Sequence, residues 1–248
     1  MVLSFPSMLP LADKAFKPRD PGADTYSSDY TKKKIGLPEI LLVEQFVPGS
    51  HLLSHFHKTD QFQVFVDGDG KMGRIPYTPL SVFYTNKDTG YGPIVAGDAG
   101  TSYYVFRPSY SPETSRTWWL HEPETRAQIT HGGKRMLKAT DVGVKPIEEL
   151  KSLGAPVVER VIGVEPDDPD AGVLAEVVSL GPNTQYAGID PKSGGGQVYL
   201  VLGGSLVHDG EVLGARSSIA VTLDEKPIAF SSGGEGVQVL VMQYPRRT

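Results

Sequence analysis

Short apolar runs separated by turn residues recur along the chain after position 38. Four lie in the first half, at residues 40–47, 61–66, 80–84 and 103–107. Four more lie in the second half, at residues 173–180, 197–202, 218–223 and 236–243. The runs are rich in β-branched or aromatic residues and are bounded by residues typical of turns, which predicts β-strands. Strands at this spacing favour a sandwich, a barrel or a jelly roll over alternating strands and helices.

The two halves of the chain resemble each other in order and spacing. Residues 61–68 (QFQVFVDG) correspond to residues 197–204 (QVYLVLGG) at an offset of 136 positions. Residues 92–94 (GPI) correspond to residues 226–228 (KPI) at an offset of 134 positions. A glycine-rich turn and a β-run ending in proline follow each triplet. These matches indicate one duplicated β-unit, and each repeat has the length of a small β-barrel.

The same pattern divides the chain into four segments. Residues 1–37 contain four prolines and a run of three lysines, which predicts an N-terminal arm with little regular structure. Residues 38–108 are predicted to form a first barrel, residues 109–156 a connector, and residues 157–248 a second barrel. Within the connector, an early proline, early acids, a late lysine and a glycine stop predict a short helix at residues 146–153. The predicted fold class is therefore all-β, with duplicated jelly-roll barrels, an N-terminal arm and a short connector helix.

Composition and charge exclude several classes of function. The chain has 24 Lys and Arg against 29 Asp and Glu, a net charge of -5, and no dense basic block, so nucleic acid is not expected as a partner. It has no cysteine, which excludes disulfides, thiolate metal sites and cysteine nucleophiles. No run of 18 apolar residues and no signal-peptide pattern is present, so no membrane association is expected. We expect a cytoplasmic protein.

Three of the 6 histidines lie within seven residues, at His51, His55 and His57. On an extended strand, His55 and His57 project from the same face, and His51 shares that face if the strand runs unbroken. Two such imidazoles can converge on a metal ion such as Zn, Fe, Ni, Cu or Mn. Gln61 and Gln63 begin the next strand, where one of them can point at the same spot. The pattern predicts a metal site in the first barrel.

The alternative is a surface strand whose imidazoles face water. Phe56 lies between the two histidines on the opposite face, and Leu52 and Leu53 precede them. These apolar neighbours weigh against an exposed strand, because large apolar side chains at such spacing are typical of a buried face.

Residues 49–68 (GSHLLSHFHKTDQFQVFVDG) resemble the first sequence motif of the cupin superfamily. That motif reads Gly, five residues, His-x-His, three or four residues, Glu, six residues, Gly. Every spacing fits, but Gln61 stands where the family usually has Glu. The second cupin motif has a proline, a glycine and then a histidine ligand. Pro93 with Gly97 or Gly100 gives an approximate frame for it, in which Tyr103 takes the approximate place of that histidine.

The resemblance implies a bicupin, and with it an enzyme that acts on a small organic molecule at a divalent metal. The metal would be bound by His55 and His57, with Gln61 or His51 completing the sphere, and Fe2+ is expected before Zn2+, Ni2+ or Mn2+. A neutral Gln61 would leave the cation with more net charge and lower affinity. By analogy with other cupins, the first reaction class is a dioxygenase, an oxidoreductase activity. Gln63 and Tyr103 are the candidate catalytic side chains.

Two other functions compatible with the resemblance stay open. One is a metal-free or non-catalytic bicupin that binds a ligand. The other is a metal-independent isomerase or cyclase that uses Tyr103 and a histidine as acid and base.

The second barrel is predicted to be structural. No histidine lies between Gly181 and Gln197, the stretch that corresponds to the first barrel's histidine pair. His208 is expected in an exposed hairpin turn, whereas His121 and His131 lie in the connector. A homodimer is expected, with the N-terminal arm as a strap between subunits.

Overall fold

The computed structural model describes residues 3–5, 25–129, 135–140 and 142–247. Its chain divides into two compact units, one of residues 14–142 and one of residues 1–13 together with 143–248. We call the β-structure of residues 14–142 the first barrel and that of the other unit the second barrel.

The first strand of the chain, β1 (Leu3–Phe5), belongs to the second unit. The first unit contains β2 (Thr25–Asp29), β3 (Glu39–Gln45), β4 (His51–Leu52), β5 (His55–Phe56), β6 (Gln61–Met72), β7 (Ile75–Tyr77), β8 (Val82–Thr85), β9 (Ile94–Arg107), β10 (Trp118–Trp119), α1 (Pro123–Arg126) and β11 (Met136–Ala139). Its main sheet has the order β11-β8-β6-β9-β3-β2, with β4 added to β9 and β7 added to β6. Strands β10 and β5 form a separate two-stranded sheet.

One face of the first sheet builds the core of the first barrel. Leu41, Val43, Phe65, Tyr103 and Val105 belong to a single buried apolar cluster on that face. Val43 lies opposite Tyr103 and Tyr103 lies opposite Phe65, so the cluster follows one row of side chains across β3, β9 and β6. Residues of the same parity on these strands therefore also point into the barrel.

The second unit repeats this arrangement. It contains α2 (Ile147–Lys151), β12 (Val157–Gly163), β13 (Leu174–Leu180), β14 (Gln185–Ala187), a 3-10 helix (Pro191–Ser193), β15 (Gln197–His208), β16 (Glu211–Gly214), β17 (Ser218–Val221) and β18 (Ala229–Gln243). Its sheet has the order β1-β17-β15-β18-β13-β12, with β14 added to β18 and β16 added to β15.

The register of the central strands confirms the predicted duplication. Strands β6 and β15 each have 12 residues and begin at Gln61 and Gln197, which are 136 positions apart. The pairing of β6 with β9 is interrupted between residues 65 and 67 and between 68 and 70. The pairing of β15 with β18 is interrupted between 201 and 203 and between 204 and 206, at the same offset. Both barrels therefore share their irregularities as well as their strands, as expected for two copies of one unit.

The predicted arm and connector contain more regular structure than expected. Strand β1 pairs with β17, and β2 pairs with β3, although both lie within residues 1–37. Residues 1–2 and 6–24 of that segment lie outside the described residues. Strand β2 (TYSSD) is polar and lies at the edge of its sheet, so it lacks the apolar pattern that identifies a buried strand. In the connector, residues 109–142 belong to the first unit, where β11 pairs with β8.

The connector helix agrees with the sequence pattern. α2 spans Ile147–Lys151 between Pro146 and its C-cap Ser152, with Glu148 and Glu149 in its first turn and Lys151 in its last. These charges suit a helix dipole, since acids stabilise the N-terminal end and a lysine the C-terminal end. No helix in the described part of the chain is long and apolar enough to span a bilayer.

Candidate functional site

A buried arginine lies at one end of the first barrel's inward face. Glu39 lies opposite Arg107 in the pairing of β3 with β9, and Phe62 opposite Phe106 makes Gln61 the neighbour of Arg107 on β6. These three polar residues have the parity of the apolar core, so they point into the barrel. Arg107 and Gln61 are each 1% exposed and Glu39 is 2% exposed. A charged side chain at such depth requires partners, because burying an unpaired charge is costly.

The guanidinium of Arg107 contacts three buried side chains. Its Nη1 donates to Glu39 Oε2 at 2.5 Å, and its Nε donates to Gln61 Oε1 at 3.2 Å. Its Nη2 lies 3.0 Å from His57 Nε2. We call these four residues the Arg107 network. It joins a carboxylate, an amide oxygen and an imidazole nitrogen around a single guanidinium.

The protonation of both histidine rings follows from their backbone partners. His55 Nδ1 lies 2.6 Å from the carbonyl oxygen of Leu53, and His57 Nδ1 lies 2.8 Å from that of Arg116. A carbonyl oxygen can only accept, so each Nδ1 carries a proton and donates it. In the neutral ring, Nε2 then holds the lone pair. His57 uses this lone pair to accept a hydrogen bond from Arg107.

Tyr91 and Trp119 flank His55 on its two sides. His55 forms a β-bridge with Tyr91 and pairs with Trp119 on β10, and its ring centroid lies 4.6 Å from Tyr91 and 5.3 Å from Trp119. Gln61 Nε2 donates to the Tyr91 hydroxyl at 2.7 Å. The two histidine rings are 5.2 Å apart and meet edge to face. The predicted proximity of His55, His57 and Gln61 is therefore present, and Tyr91 joins them.

A short stretch of the predicted connector completes the site. The carbonyl oxygen of Arg116 orients His57, and Trp119 packs on His55. Trp118 faces the other way, stacks on Phe56 and carries the cations of Lys58 and Arg116 over its ring at 4.4 and 4.5 Å. Cations over an indole ring stabilise its position. Arg116 and Trp119 are thus part of the site and not of a linker.

The structure separates His51 and Tyr103 from the histidine pair, whereas Gln63 has the inward position that the sequence predicts. His51 is exposed, because residues 53 and 54 interrupt the strand and its parity does not continue to His55. Tyr103 packs against Phe65 at 4.9 Å in the apolar core. It lies four residues from Arg107 on the same strand, which corresponds to about 13 Å. Gln63 is 1% exposed, and its Oε1 has no hydrogen-bond partner among the described residues.

The other histidines lie elsewhere. His208 ends β15 beside the turn, where its Nδ1 lies 2.9 Å from the carbonyl oxygen of Ala229. His121 is exposed and its ring centroid lies 6.2 Å from that of Trp119, whereas His131 lies outside the described residues.

The second barrel has uncharged side chains at the positions that correspond to the Arg107 network. At an offset of 136, Gln197 corresponds to Gln61, Gln243 to Arg107 and Ser193 to His57. Gln197 Nε2 donates to Gln243 Oε1 at 2.8 Å, and Ser193 Oγ donates to the same oxygen at 3.1 Å. Leu174 lies opposite Gln243, where the first barrel has Glu39 opposite Arg107. The fold itself therefore does not require charges at these positions.

Two tyrosines inside the barrels keep their protons over the physiological range. Burial raises the pKa of Tyr77, in the first barrel's core, to about 12. Burial also raises the pKa of Tyr199, in the second barrel, well above its usual range. Because desolvation disfavours the phenolate, neither hydroxyl is a base near neutral pH.

The Arg107 network does not fit a bound metal ion. The nitrogen of His57 that would ligate a metal already accepts from a cation 3.0 Å away. Gln61 uses its amide oxygen for Arg107 and its amide nitrogen for Tyr91. Within the described residues, no group of three or more His, Cys, Asp or Glu side chains could hold a metal ion. A dication would have to share these ligands with a guanidinium, and like charges at this distance repel strongly.

Among the comparisons with known proteins, only the one with solved structures finds proteins similar to this chain. No protein-family model and no curated protein matches the sequence. An oxalate decarboxylase from Lactobacillus farciminis, in complex with formate, matches at a TM-score of 0.61 and 12% identity, covering 99% of this chain and 87% of its own. A pirin from Escherichia coli, in complex with nickel(II), matches at 0.57 and 10%, covering 99% and 100%. A quercetin 2,3-dioxygenase from Acinetobacter baumannii matches at 0.54 and 14%, covering 100% and 80%. At these identities the likeness shows a shared fold.

Proposed function

We propose that this chain, which has the cupin fold, binds a small organic molecule in its first barrel and does so without a metal ion. The observation that carries the proposal is the bond between Arg107 and His57 Nε2. It places a permanent cation on the nitrogen that a metal would need. The guanidinium cannot lose its charge near neutral pH, so this block does not depend on ordinary pH changes.

The contrast between the barrels supports a functional role for the charges. Burying an ion pair costs several kcal/mol of desolvation, which Coulomb attraction repays only with good geometry. The second barrel has the same fold and fills the positions of Arg107 and Glu39 with Gln243 and Leu174. Since folding alone does not need the ion pair, we infer that it serves a ligand.

If the ligand is transformed, His55 and Tyr91 are the groups placed to move a proton. His55 Nδ1 is fixed as a donor to a carbonyl, which leaves Nε2 as the ring's base. Tyr91 receives a hydrogen bond from Gln61 at its hydroxyl oxygen, so its own proton is directed elsewhere. In a metal-independent isomerase or cyclase, His55 and Tyr91 would then act as base and acid, and Tyr91 would take the role that the sequence analysis gave to Tyr103.

The second candidate is the metal-dependent enzyme, with an Fe(II) dioxygenase as its first reaction class. One observation favours it. Both histidines donate Nδ1 to a backbone carbonyl, and metal-ligating histidines commonly hold their rings in this way. Two of the similar structures also concern metal centres, nickel(II) in the pirin and Mn(II) in an oxalate decarboxylase from Bacillus subtilis.

Elemental analysis separates the two candidates. Protein purified without a His-tag is expected to contain far less than one equivalent of Fe, Zn, Ni or Mn, and to take up none after incubation with Fe(II) or Zn(II) and desalting. The reason is that Arg107 holds the ligand nitrogen of His57. Near-stoichiometric metal that disappears in the His55→Ala/His57→Ala double variant would overturn the proposal and support the metal-dependent enzyme.

A ligand screen tests the binding half of the proposal. We expect members of a panel of small organic molecules to raise the melting temperature equally with and without EDTA, because no metal takes part. The same hits should lose their effect in Tyr91→Ala, which removes a ring packed on His55. The exposed His51→Ala variant is the matched control and should keep every hit. A panel without any hit, or hits that EDTA abolishes, would count against the proposal.

A further inference from the structure

We propose that Lys58 and Arg116 form a binding site for an oxyanion, a carboxylate or a phosphate group, beside the ring of Trp118. The site is separate from the ligand site of the proposed function. The pair Phe56 and Trp118 alternates along β5 and β10 with the pair that contains His55, so the two pairs point to opposite sides. The inference therefore adds a second ligand class and does not depend on whether the first barrel binds a small organic molecule.

The ring of Trp118 holds the two cations close together. Lys58 Nζ and Arg116 Cζ lie 4.4 and 4.5 Å from the centroid of this ring. The two charges are therefore less than about 9 Å apart, which is close to the Debye length of physiological salt, so their repulsion is screened only in part. The ring itself is fixed, because it stacks on the buried Phe56. An oxyanion bound to both cations would replace this repulsion by two attractions.

The strand register places both cations at the same end of the pair of strands. Phe56 lies opposite Trp118, and Lys58 and Arg116 each lie two residues beyond this pair in the same direction. Side chains two residues apart on an extended segment share a face. The two segments stay together at this end, because the backbone N–H of Lys58 donates to the carbonyl oxygen of Thr114 at 3.2 Å. One anion is therefore within reach of both side chains.

Hydrogen-bond donors outnumber acceptors around this pair of cations. Lys58 has a carboxylate partner in Glu113, whose Oε1 lies 3.4 Å from Nζ, but the Glu113 side chain is 73% exposed and such pairs bind weakly. Within the described residues, the guanidinium of Arg116 has no hydrogen bond and no ion pair. The enclosed donors Trp118 Nε1 and Ser115 Oγ have no acceptor there either. In a chain of net charge -5, this local excess of donors suits a ligand that can only accept.

The two side chains also differ in a way that suits an oxyanion. The planar guanidinium of Arg116 presents parallel N–H groups to two oxygens of a carboxylate or phosphate, whereas Lys58 supplies a point charge that adapts to another oxygen. Both residues belong to the segments that hold His57. Lys58 follows His57 directly, and the carbonyl oxygen of Arg116 accepts a hydrogen bond from His57 Nδ1. A bound anion would thus tie these two segments together and stabilise the folded chain.

Titration with inorganic phosphate and with acetate tests the inference. The chain has 2 tryptophans, so the Trp119→Phe variant leaves Trp118 as the only fluorescent indole. We expect a saturable change in its emission, and a rise in the melting temperature of the native chain, that potassium chloride at equal ionic strength does not produce. Tighter binding of phosphate than of acetate would assign the site to phosphate groups, and the reverse order would assign it to carboxylates.

Variants that remove one charge at a time provide the controls. Lys58→Gln and Arg116→Gln should each weaken anion binding about tenfold. Arg116→Lys, which keeps the charge and loses the planar fork, should bind more tightly than Arg116→Gln and less tightly than the native chain. Lys151→Gln, which removes a partly exposed lysine elsewhere, should leave anion binding unchanged. The inference is overturned by a response no larger than that to chloride, by one that both Gln variants retain, or by one that Lys151→Gln reduces equally.

Discussion

Arg107→Ala is expected to lower the free energy of unfolding by about 3–5 kcal/mol when metal is excluded with EDTA. The change leaves the Glu39 carboxylate buried and unpaired, and it removes the donors to His57 and Gln61. The loss of bonds is the smaller part, since each is worth about 1 kcal/mol net, or about 1.5–3 kcal/mol where a charged group takes part. Most of the cost comes from a charge that has neither water nor a partner. Urea unfolding at neutral pH measures it.

The matched control removes both charges together. Glu39→Leu with Arg107→Gln reproduces Leu174 and Gln243, which the second barrel accommodates on the same fold. Replacing a buried ion pair by neutral groups that pack well is often close to neutral in stability. The double variant should therefore be clearly more stable than Arg107→Ala, although it carries one more substitution. Equal losses in the two variants would mean that the unpaired carboxylate is not the cause.

The strand pattern and the duplication could be predicted from the sequence because both depend on local information. Alternation places Gln61, Gln63 and Phe65 on one face, and a fixed offset relates Gln61 to Gln197. The closeness of His55 and His57 also follows from two positions on one short strand. His51 does not share the face of His55 and His57, because residues 53 and 54 interrupt the strand. No periodic signal in the sequence marks that break.

The Arg107 network could not be predicted in the same way. Its bonds join residues 68, 50 and 46 positions apart in sequence, so they depend on which strands are neighbours. Glu39 and Arg107 lie at strand ends, where charged residues are ordinarily exposed. Tyr91 lies in the loop between β8 and β9, outside any apolar run. A comparison of the two repeats could have drawn attention to Arg107, because at an offset of 136 this charged residue corresponds to the uncharged Gln243.

The shared irregularities of the two barrels lead to a second large effect, at Gly68 and Gly204. Both glycines have a left-handed backbone, with φ of 70° and 73°, and both lie where the central strand pairing is interrupted. An added Cβ would lie 1.9 Å from the carbonyl oxygen of Gly100 in the first case and 2.2 Å from that of Gly236 in the second. The obstacle is backbone in both barrels, so a change of side-chain rotamer cannot relieve it.

Gly68→Ala and Gly204→Ala are therefore each expected to cost about 2–5 kcal/mol, the sum of left-handed strain and of overpacking against a neighbouring strand. Gly210→Ala is the matched control, because Gly210 has a φ of 82° but no atom within 4 Å of the added Cβ. It should show the strain alone, about 1–2 kcal/mol. Urea unfolding of the three variants measures the difference. If Gly68→Ala cost no more than Gly210→Ala, the close approach of β9 to β6 at this bulge would be wrong.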